Sequence, residues 1–188
     1  MHDDIERILL SESQIRSGIE RVAGEISSWY RERELTVVAV LTGSCVFVAD
    51  LIRRLPNAIR LTFVWAESYG KGTSAGRLQL QGLPPDGEIR AREVLLVDDI
   101  LDSGRTLAAL RSELLARGAR EVRTCVFLDK PARRAADIRP DFVGFEIEDA
   151  FVVGYGLDFA GRYRNLPYVG SLKPRVLAQA SAAAQGAR

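Results

Sequence analysis

Apolar residues recur along the chain at two different spacings. At Ile15, Ile19, Val22, Ile26 and Trp29 they return every three or four positions, the period of one helical face. Ser11-Glu12-Ser13-Gln14 just ahead has the form of a capping box. The spacing predicts a helix to about Tyr30 with this stripe, Trp29 included, turned to the core. At Thr36–Leu41 and Glu93–Val97 the apolar residues are continuous, β-branched or aliphatic, and too few for a helix, as in strands buried on both faces of a parallel sheet. Ala58–Trp65 and Glu121–Leu128 repeat that pattern. Ile5–Leu10 reads as a short edge strand, and Asp141–Glu146 and Phe151–Tyr155 as two further short strands. Phe47, Leu51, Ile52 and Leu55 before Pro56, and Leu107, Leu110, Leu114 and Leu115 before Gly118, predict two more helices.

Strands alternating with helices predict an α/β fold with a mostly parallel twisted sheet flanked by helices, whose ligands gather outside the carboxyl ends of the strands. The length of 188 residues suits one core. We therefore expect a single domain over residues 1–175 and a flexible tail over 176–188, rich in Ala, Gln and Gly. The glycine-dense stretch at about 68–82 is either a mobile loop that closes over substrate or a hairpin with an exposed tip. Pro84-Pro85-Asp86-Gly87 reads as a turn.

Charge narrows the chemistry. With 26 basic and 25 acidic residues there is no global electrostatic case for nucleic acid or an anionic membrane. No apolar run approaches the roughly 20 residues that span a bilayer, and the start Met1-His2-Asp3-Asp4 has no signal-peptide pattern, so a soluble cytoplasmic protein is expected. Cys45 and Cys125 form no CxxC pair, and the single histidine is His2, so neither a disulfide framework, a zinc site nor a histidine-based triad is supported. Acid–base work falls to carboxylates, lysine or water.

Three strand ends carry candidate groups. Glu93–Val97 runs into Asp98, Asp99 and Asp102 and then Ser103, Gly104, Arg105 and Thr106 at the entrance to a helix, whose unpaired N–H groups and partial positive charge can hold a phosphate. Carboxylates beside such a cradle repel an anion unless they serve sugar hydroxyls, a divalent cation or a proton. The plainer alternative is a solvated acidic cluster with Ser103 as the helix cap. Thr42-Gly43-Ser44 repeats the strand–small loop–helix arrangement, and Lys130 ends another strand, where it is either solvated or a ligand group.

These stretches resemble a known family. Val-Leu-Leu-Val-Asp-Asp-Ile-Leu-Asp-Ser-Gly-Arg-Thr-Leu (94–107) is similar to the phosphoribosyl-pyrophosphate signature of type I phosphoribosyltransferases. Leu-Thr-Gly-Ser (41–44), Ser-Tyr-Gly (68–70), Leu-Asp-Lys-Pro (128–131), Pro-Asp-Phe-Val-Gly-Phe-Glu-Ile (140–147) and Phe-Val-Val-Gly-Tyr-Gly-Leu-Asp (151–158) narrow it to the hypoxanthine-guanine phosphoribosyltransferases, over about residues 5–172. The resemblance implies a small hood built from the chain ends and transfer of 5-phosphoribosyl from phosphoribosyl pyrophosphate to N9 of a 6-oxopurine, with Mg²⁺ as cofactor. By position it implies Ser103, Gly104, Arg105 and Thr106 around the 5′-phosphate, Asp98 and Asp99 at the ribose directly or through Mg²⁺, and Asp102 as general base near N7. Lys130 would meet the 6-oxo group, Phe151 stack on the base, and Val152 meet its 2-position edge. Asp158, also beside the purine, would anchor a second Mg²⁺ through water. Thr42, Gly43, Arg164, Ser68 and Tyr69 would bind pyrophosphate.

The same resemblance implies a cis peptide at Leu41–Thr42 and a homodimer or homotetramer. Thr42, where the mammalian form has lysine, makes the chain more like bacterial members. Two alternatives stay open: the same transfer on xanthine, and a non-catalytic nucleotide- or RNA-binding regulator on this fold, against which the balanced charge counts. Glu67, beside the Ser-Tyr-Gly stretch, has no role in this reading.

Overall fold

The computed structural model describes residues 1–69 and 77–179. Its centre is a six-stranded sheet in the order β4-β3-β2-β5-β6-β7, built from β2 (Leu35–Leu41), β3 (Ile59–Tyr69), β4 (Arg77–Gln81), β5 (Glu93–Leu101), β6 (Glu121–Asp129) and β7 (Phe142–Glu146). All neighbours are parallel except β3 and β4, which pair antiparallel from Trp65↔Gln81 to Tyr69↔Arg77. Within the stretch at 68–82, residues 68–69 and 77–81 are thus paired strand, as in the hairpin reading. Its central residues 70–76 lie outside the described residues.

The strands are buried on both faces because their alternate residues feed two cores. Val37, Ala39, Leu95, Val97, Cys125 and Phe127 pack on one side with α1 (Glu12–Tyr30) and α2 (Cys45–Ile52). Val38, Val40, Val94, Leu96 and Val126 pack on the other with α4 (Arg105–Ala116) and with Ile89 of the single turn α3 (Asp86–Ile89). The period-2 alternation of a pleated strand makes both cores from one continuous apolar run. Pro84 to Gly87, expected as a turn only, leads into that helical turn.

The stripe on α1 runs Ile15, Ile19, Val22, Ile26, Tyr30, and the capping box at Ser11 and Gln14 is formed. Trp29 departs from expectation. It is 46% exposed and carries the Arg123 guanidinium 3.6 Å from its ring centroid. From Ile26 the core-facing direction continues at Tyr30, four residues on, and position 29 lies about 100° round the helix from it. Leu115 is likewise exposed while Leu114 takes the buried position.

A second sheet, in the order β1-β9-β8, is made from β1 (Ile5–Leu10), β9 (Val169–Leu172) and β8 (Val152–Val153). This is the hood expected from the chain ends: β1 pairs with β9 from Ile5↔Leu172 to Leu10↔Val169, and β9 pairs with β8. Of Phe151–Tyr155 only Val152 and Val153 are strand, because Gly154 and Tyr155 turn away with positive φ. Residues 174–179, which run into the tail expected at 176–188, are helical, and 180–188 lie outside the described residues.

Candidate active site

The carboxyl ends of β2, β5 and β6 meet beneath the hood. The Leu41–Thr42 peptide that ends β2 is cis. Thr42 is exposed, whereas Gly43 and Ser44 are buried, and Ser44 Oγ donates to the Val40 carbonyl at 2.5 Å. Gly43 lies hard against the acids of β5: a Cβ there would fall 1.6 Å from Asp99 Oδ2. On its other side a Cβ on Gly156, whose φ is +99°, would fall 2.1 Å from the Gly43 carbonyl oxygen. Two glycines therefore let two loops stack on the end of β5 where side chains would hold them apart.

β5 continues past Val97 through Asp98 and Asp99 to Leu101, so the two acids are strand residues. Asp98 is 8% exposed. Its Oδ1 accepts from the Asp99 N–H at 2.9 Å, and Asp99 Oδ1 accepts from the Ile100 N–H at 2.8 Å. Burial, and then the Asp99 charge, push the Asp98 carboxyl well above the usual carboxylate range. Burial also raises Asp99, while its hydrogen bonds and the positive charge of Arg164 oppose the rise. The positive charge of Arg164 does not offset the burial of the two adjacent carboxylates, and hard oxygen donors of this kind suit Mg²⁺ or another small divalent cation.

Arg164 sits on the far side of the same crevice. Its Nη1 donates to the Gly156 carbonyl at 2.6 Å, and its Nη2 pairs with Asp158 Oδ1 at 2.7 Å. Asp158 Oδ2 accepts from the Gly161 N–H at 2.9 Å. Among the described residues no three His, Cys, Asp or Glu side chains are grouped as a cation cage, so Asp158 is not part of one cluster with Asp98 and Asp99.

The turn after β5 ends at Gly104, in the left-handed region at φ +80°, and not Ser103, as the cap of α4. No side chain caps that terminus, which leaves the first-turn amides of α4 without a side-chain acceptor. Two backbone N–H groups, from Ala135 and Ala136, donate to the Ser103 carbonyl at 3.0 Å and fix the turn. Arg105 is exposed, and Ser103 and Thr106 are partly so. Asp102, half-buried, pairs through Oδ2 with Arg133 Nη1 at 3.3 Å.

Lys130, at the end of β6, is 5% exposed, and its Nζ donates to the Ala150 carbonyl at 2.6 Å. Burial lowers its pKa, opposed by the charges of Asp102 and Asp149. Phe151 follows Ala150; it is 48% exposed and meets Phe159 edge-on at 5.2 Å between centroids. Val152 is buried, its backbone paired with Ser171 in the hood. Gly43, Asp99, Asp158 and Arg164 are thus one linked group, and Asp102, Lys130 and Phe151 a second around the end of β6, which the Lys130 N–H bond to the Leu101 carbonyl joins to the end of β5. The side chains of Ser68 and Tyr69 are outside the described residues.

Groups that the sequence reading did not single out also shape this crevice: Arg133, Asp149 and the Tyr155–Asp50 hydrogen bond of 2.5 Å, which ties the segment after β8 to α2. Arg133 stands three residues after Lys130, the one signal that could have drawn attention to it. A separate cavity of 850 Å³ lies beside Trp29 and Arg33, ahead of β2 and so toward the opposite end of the sheet.

A parallel sheet bearing an open helix terminus, paired acids and a buried lysine at adjacent strand ends defines a phosphate-and-sugar transfer class of site. The chain belongs to the phosphoribosyltransferase family: the model of the phosphoribosyl transferase domain matches residues 8–160. It is 43% identical to the hypoxanthine-guanine phosphoribosyltransferase of Bacillus subtilis over 94% of this chain and 98% of that protein. It is 41% identical to the bifunctional protein TilS/HprT of Listeria monocytogenes over 95% of this chain, and spans 28% of that longer protein. A crystal structure of a hypoxanthine phosphoribosyltransferase from Staphylococcus aureus matches with a TM-score of 0.87 and 38% identity, covering 94% of this chain and 96% of that one.

Proposed function

We propose that this protein transfers the 5-phosphoribosyl group from phosphoribosyl pyrophosphate to N9 of hypoxanthine or guanine, giving IMP or GMP and pyrophosphate, as a purine salvage enzyme. The observation that carries this reading is Lys130, buried beside the end of β5, the strand that bears the Asp98–Asp99 pair and leads to the open terminus of α4. One half of such a site suits a sugar phosphate and the other a keto-bearing base.

The residues divide the work by chemistry. The α4 amides with Ser103, Gly104, Arg105 and Thr106 hold the 5′-phosphate. Arg164, with the Thr42-Gly43 loop and Ser68 and Tyr69, holds the pyrophosphate, whose departure leaves positive charge at the anomeric carbon; the carboxylates of β5 tolerate that charge. Asp98 and Asp99 would hold one Mg²⁺, and Asp158 would serve a second. Bound Mg²⁺ supplies neutralisation of charge on the substrate oxygens. Asp102 accepts the proton at N7 as N9 forms its new bond. Lys130 donates to the 6-oxo group while keeping its bond to Ala150, since an ammonium has three donors. A 6-amino group would set donor against donor, so the site selects 6-oxopurines. Phe151 offers its exposed face to the base and Val152 its backbone to the 2-position. A cytoplasmic homodimer or homotetramer is the form we propose.

A coupled assay of the purified protein with Mg²⁺, phosphoribosyl pyrophosphate and hypoxanthine, guanine or xanthine in turn tests this. We expect turnover with the first two and loss of it on chelation. Turnover with none of the three, or full turnover without divalent metal, would contradict the reading, and a preference for xanthine would move it to the neighbouring substrate.

A further inference from the structure

Asp102 is held on one side only. Arg133 Nη1 lies 3.3 Å from Asp102 Oδ2, and Nε of the same guanidinium lies 3.7 Å from Asp149 Oδ1. Asp102 Oδ1, by contrast, is hidden from solvent and has no hydrogen-bond partner. A buried acceptor without a donor is unfavourable unless something else completes it. With Oδ1 turned into the protein and Oδ2 on Arg133, the carboxylate is held in one orientation.

Arg133 reaches both acids because of local backbone structure. Lys130 caps a short 3₁₀ turn, Pro131–Arg133, which brings the side chains at positions 130 and 133 to one side. From there Lys130 tethers Ala150 and Arg133 tethers Asp149, the two residues that lead into Phe151. The charged groups set around Asp102 are therefore Lys130, Arg133 and Asp149, on two segments.

We infer that Arg133 is a positioning residue for proton transfer: it fixes the orientation of the Asp102 carboxylate by Oδ2, and through Asp149 it ties that orientation to the segment carrying Phe151. This rests on the reading of Asp102 as the general base. Proton transfer depends on alignment within hydrogen-bond reach, and a misplacement of about 1 Å costs on the order of 10²-fold. Arg133 is more than half exposed, and an exposed ion pair contributes little to stability, so its loss leaves the protein folded.

The test is a double-mutant cycle of Arg133→Ala with Asp102→Asn, read as kcat and as KM for each substrate. Arg133→Ala in the otherwise native protein is expected to lower kcat by about 10- to 100-fold, with the KM for phosphoribosyl pyrophosphate within about twofold. Arg133→Lys should recover part of the loss. In the Asp102→Asn background, Arg133→Ala should have no further effect, because a residue acting through Asp102 has nothing left to act on. An equal loss in both backgrounds, or no loss in the first, overturns the inference. Asp102→Asn itself should lower turnover by about 10²- to 10⁴-fold. If it turns over normally, the base assignment fails. If it collapses while the cycle is additive, only the role of Arg133 fails. Asp149→Asn keeps the Asp102 contact and cuts the tether; it should raise the KM for purine severalfold, and unchanged kinetics would remove the tether from the account.

Discussion

Lys130 shows how a side chain takes its meaning from its surroundings. In the sequence it ends a strand, where lysines are usually solvated. In the fold it is buried, bonded to Ala150 and flanked by Asp102 and Phe151. A hydrogen bond to a charged group contributes about 1.5–3 kcal/mol, or roughly 10- to 150-fold in affinity. Lys130→Ala should therefore raise the KM for purine by at least about tenfold and leave the KM for phosphoribosyl pyrophosphate within about twofold. Steady-state kinetics with each substrate varied in turn checks this, and equal losses for both would separate Lys130 from the base. The burial that makes Lys130 a reader also lowers its pKa, so purine binding should weaken at a pH below the ordinary lysine range.

At the scale of elements, the site is a stack of loops set by two glycines. Gly43 has no positive φ to favour glycine; what excludes a side chain there is Asp99 Oδ2 at 1.6 Å from the position of a Cβ. Gly43→Ala should thus fold with unchanged circular dichroism while pushing the Asp99 carboxylate aside. Turnover should fall by about 10²-fold, with phosphoribosyl pyrophosphate binding weakened more than purine binding, as calorimetry would read. Much of the architecture was legible beforehand, since continuous β-branched runs at 36–41 and 93–97 and the spaced stripe on α1 state the sheet and helix directly. The same patterns stopped short at the ends of elements. β5 keeps hydrogen-bonding through Asp98 and Asp99, which no hydrophobic count extends, and Trp29 left the stripe because the helix turns 100° per residue. The contacts of Arg133 and Gly43 join segments 31 and 56 residues apart, a relation without a local signal.

For the whole molecule, the buried acids are a stability term as well as a functional one. A carboxyl whose folded value lies above its unfolded value binds its proton more tightly when folded. It adds stability below about pH 4, the ordinary carboxylate value, and that stability is lost as pH rises through the raised value. Asp98 is such a group, with burial as the first cause. In chelator and without substrate, Asp98→Asn should raise the melting midpoint at pH 8 by about 2–4 °C, the shift that ~1 kcal/mol gives a chain of this size. At pH 4 the two proteins should melt nearly together, and activity should be lost. A midpoint gain that is the same at both pH values would show that ionisation of Asp98 is not the source.

The hood carries a consequence for how the molecule comes into being. β8 supplies Val152 beside Phe151, but its pairing partner is β9, and β9 in turn lies on β1 from the first ten residues. The central sheet closes on residues up to Glu146, mostly through neighbours adjacent in the chain or one crossover apart. The hood instead waits for Val169–Leu172 to return to Ile5–Leu10, a separation of more than 150 residues that makes it slow to form. On the ribosome, where N-terminal segments emerge first, β1 must remain unpaired at its β9 edge until Val169–Leu172 have been made. A nascent chain halted after β7 would possess the acids and the phosphate-type turn, yet have no finished surface against which a base could be read.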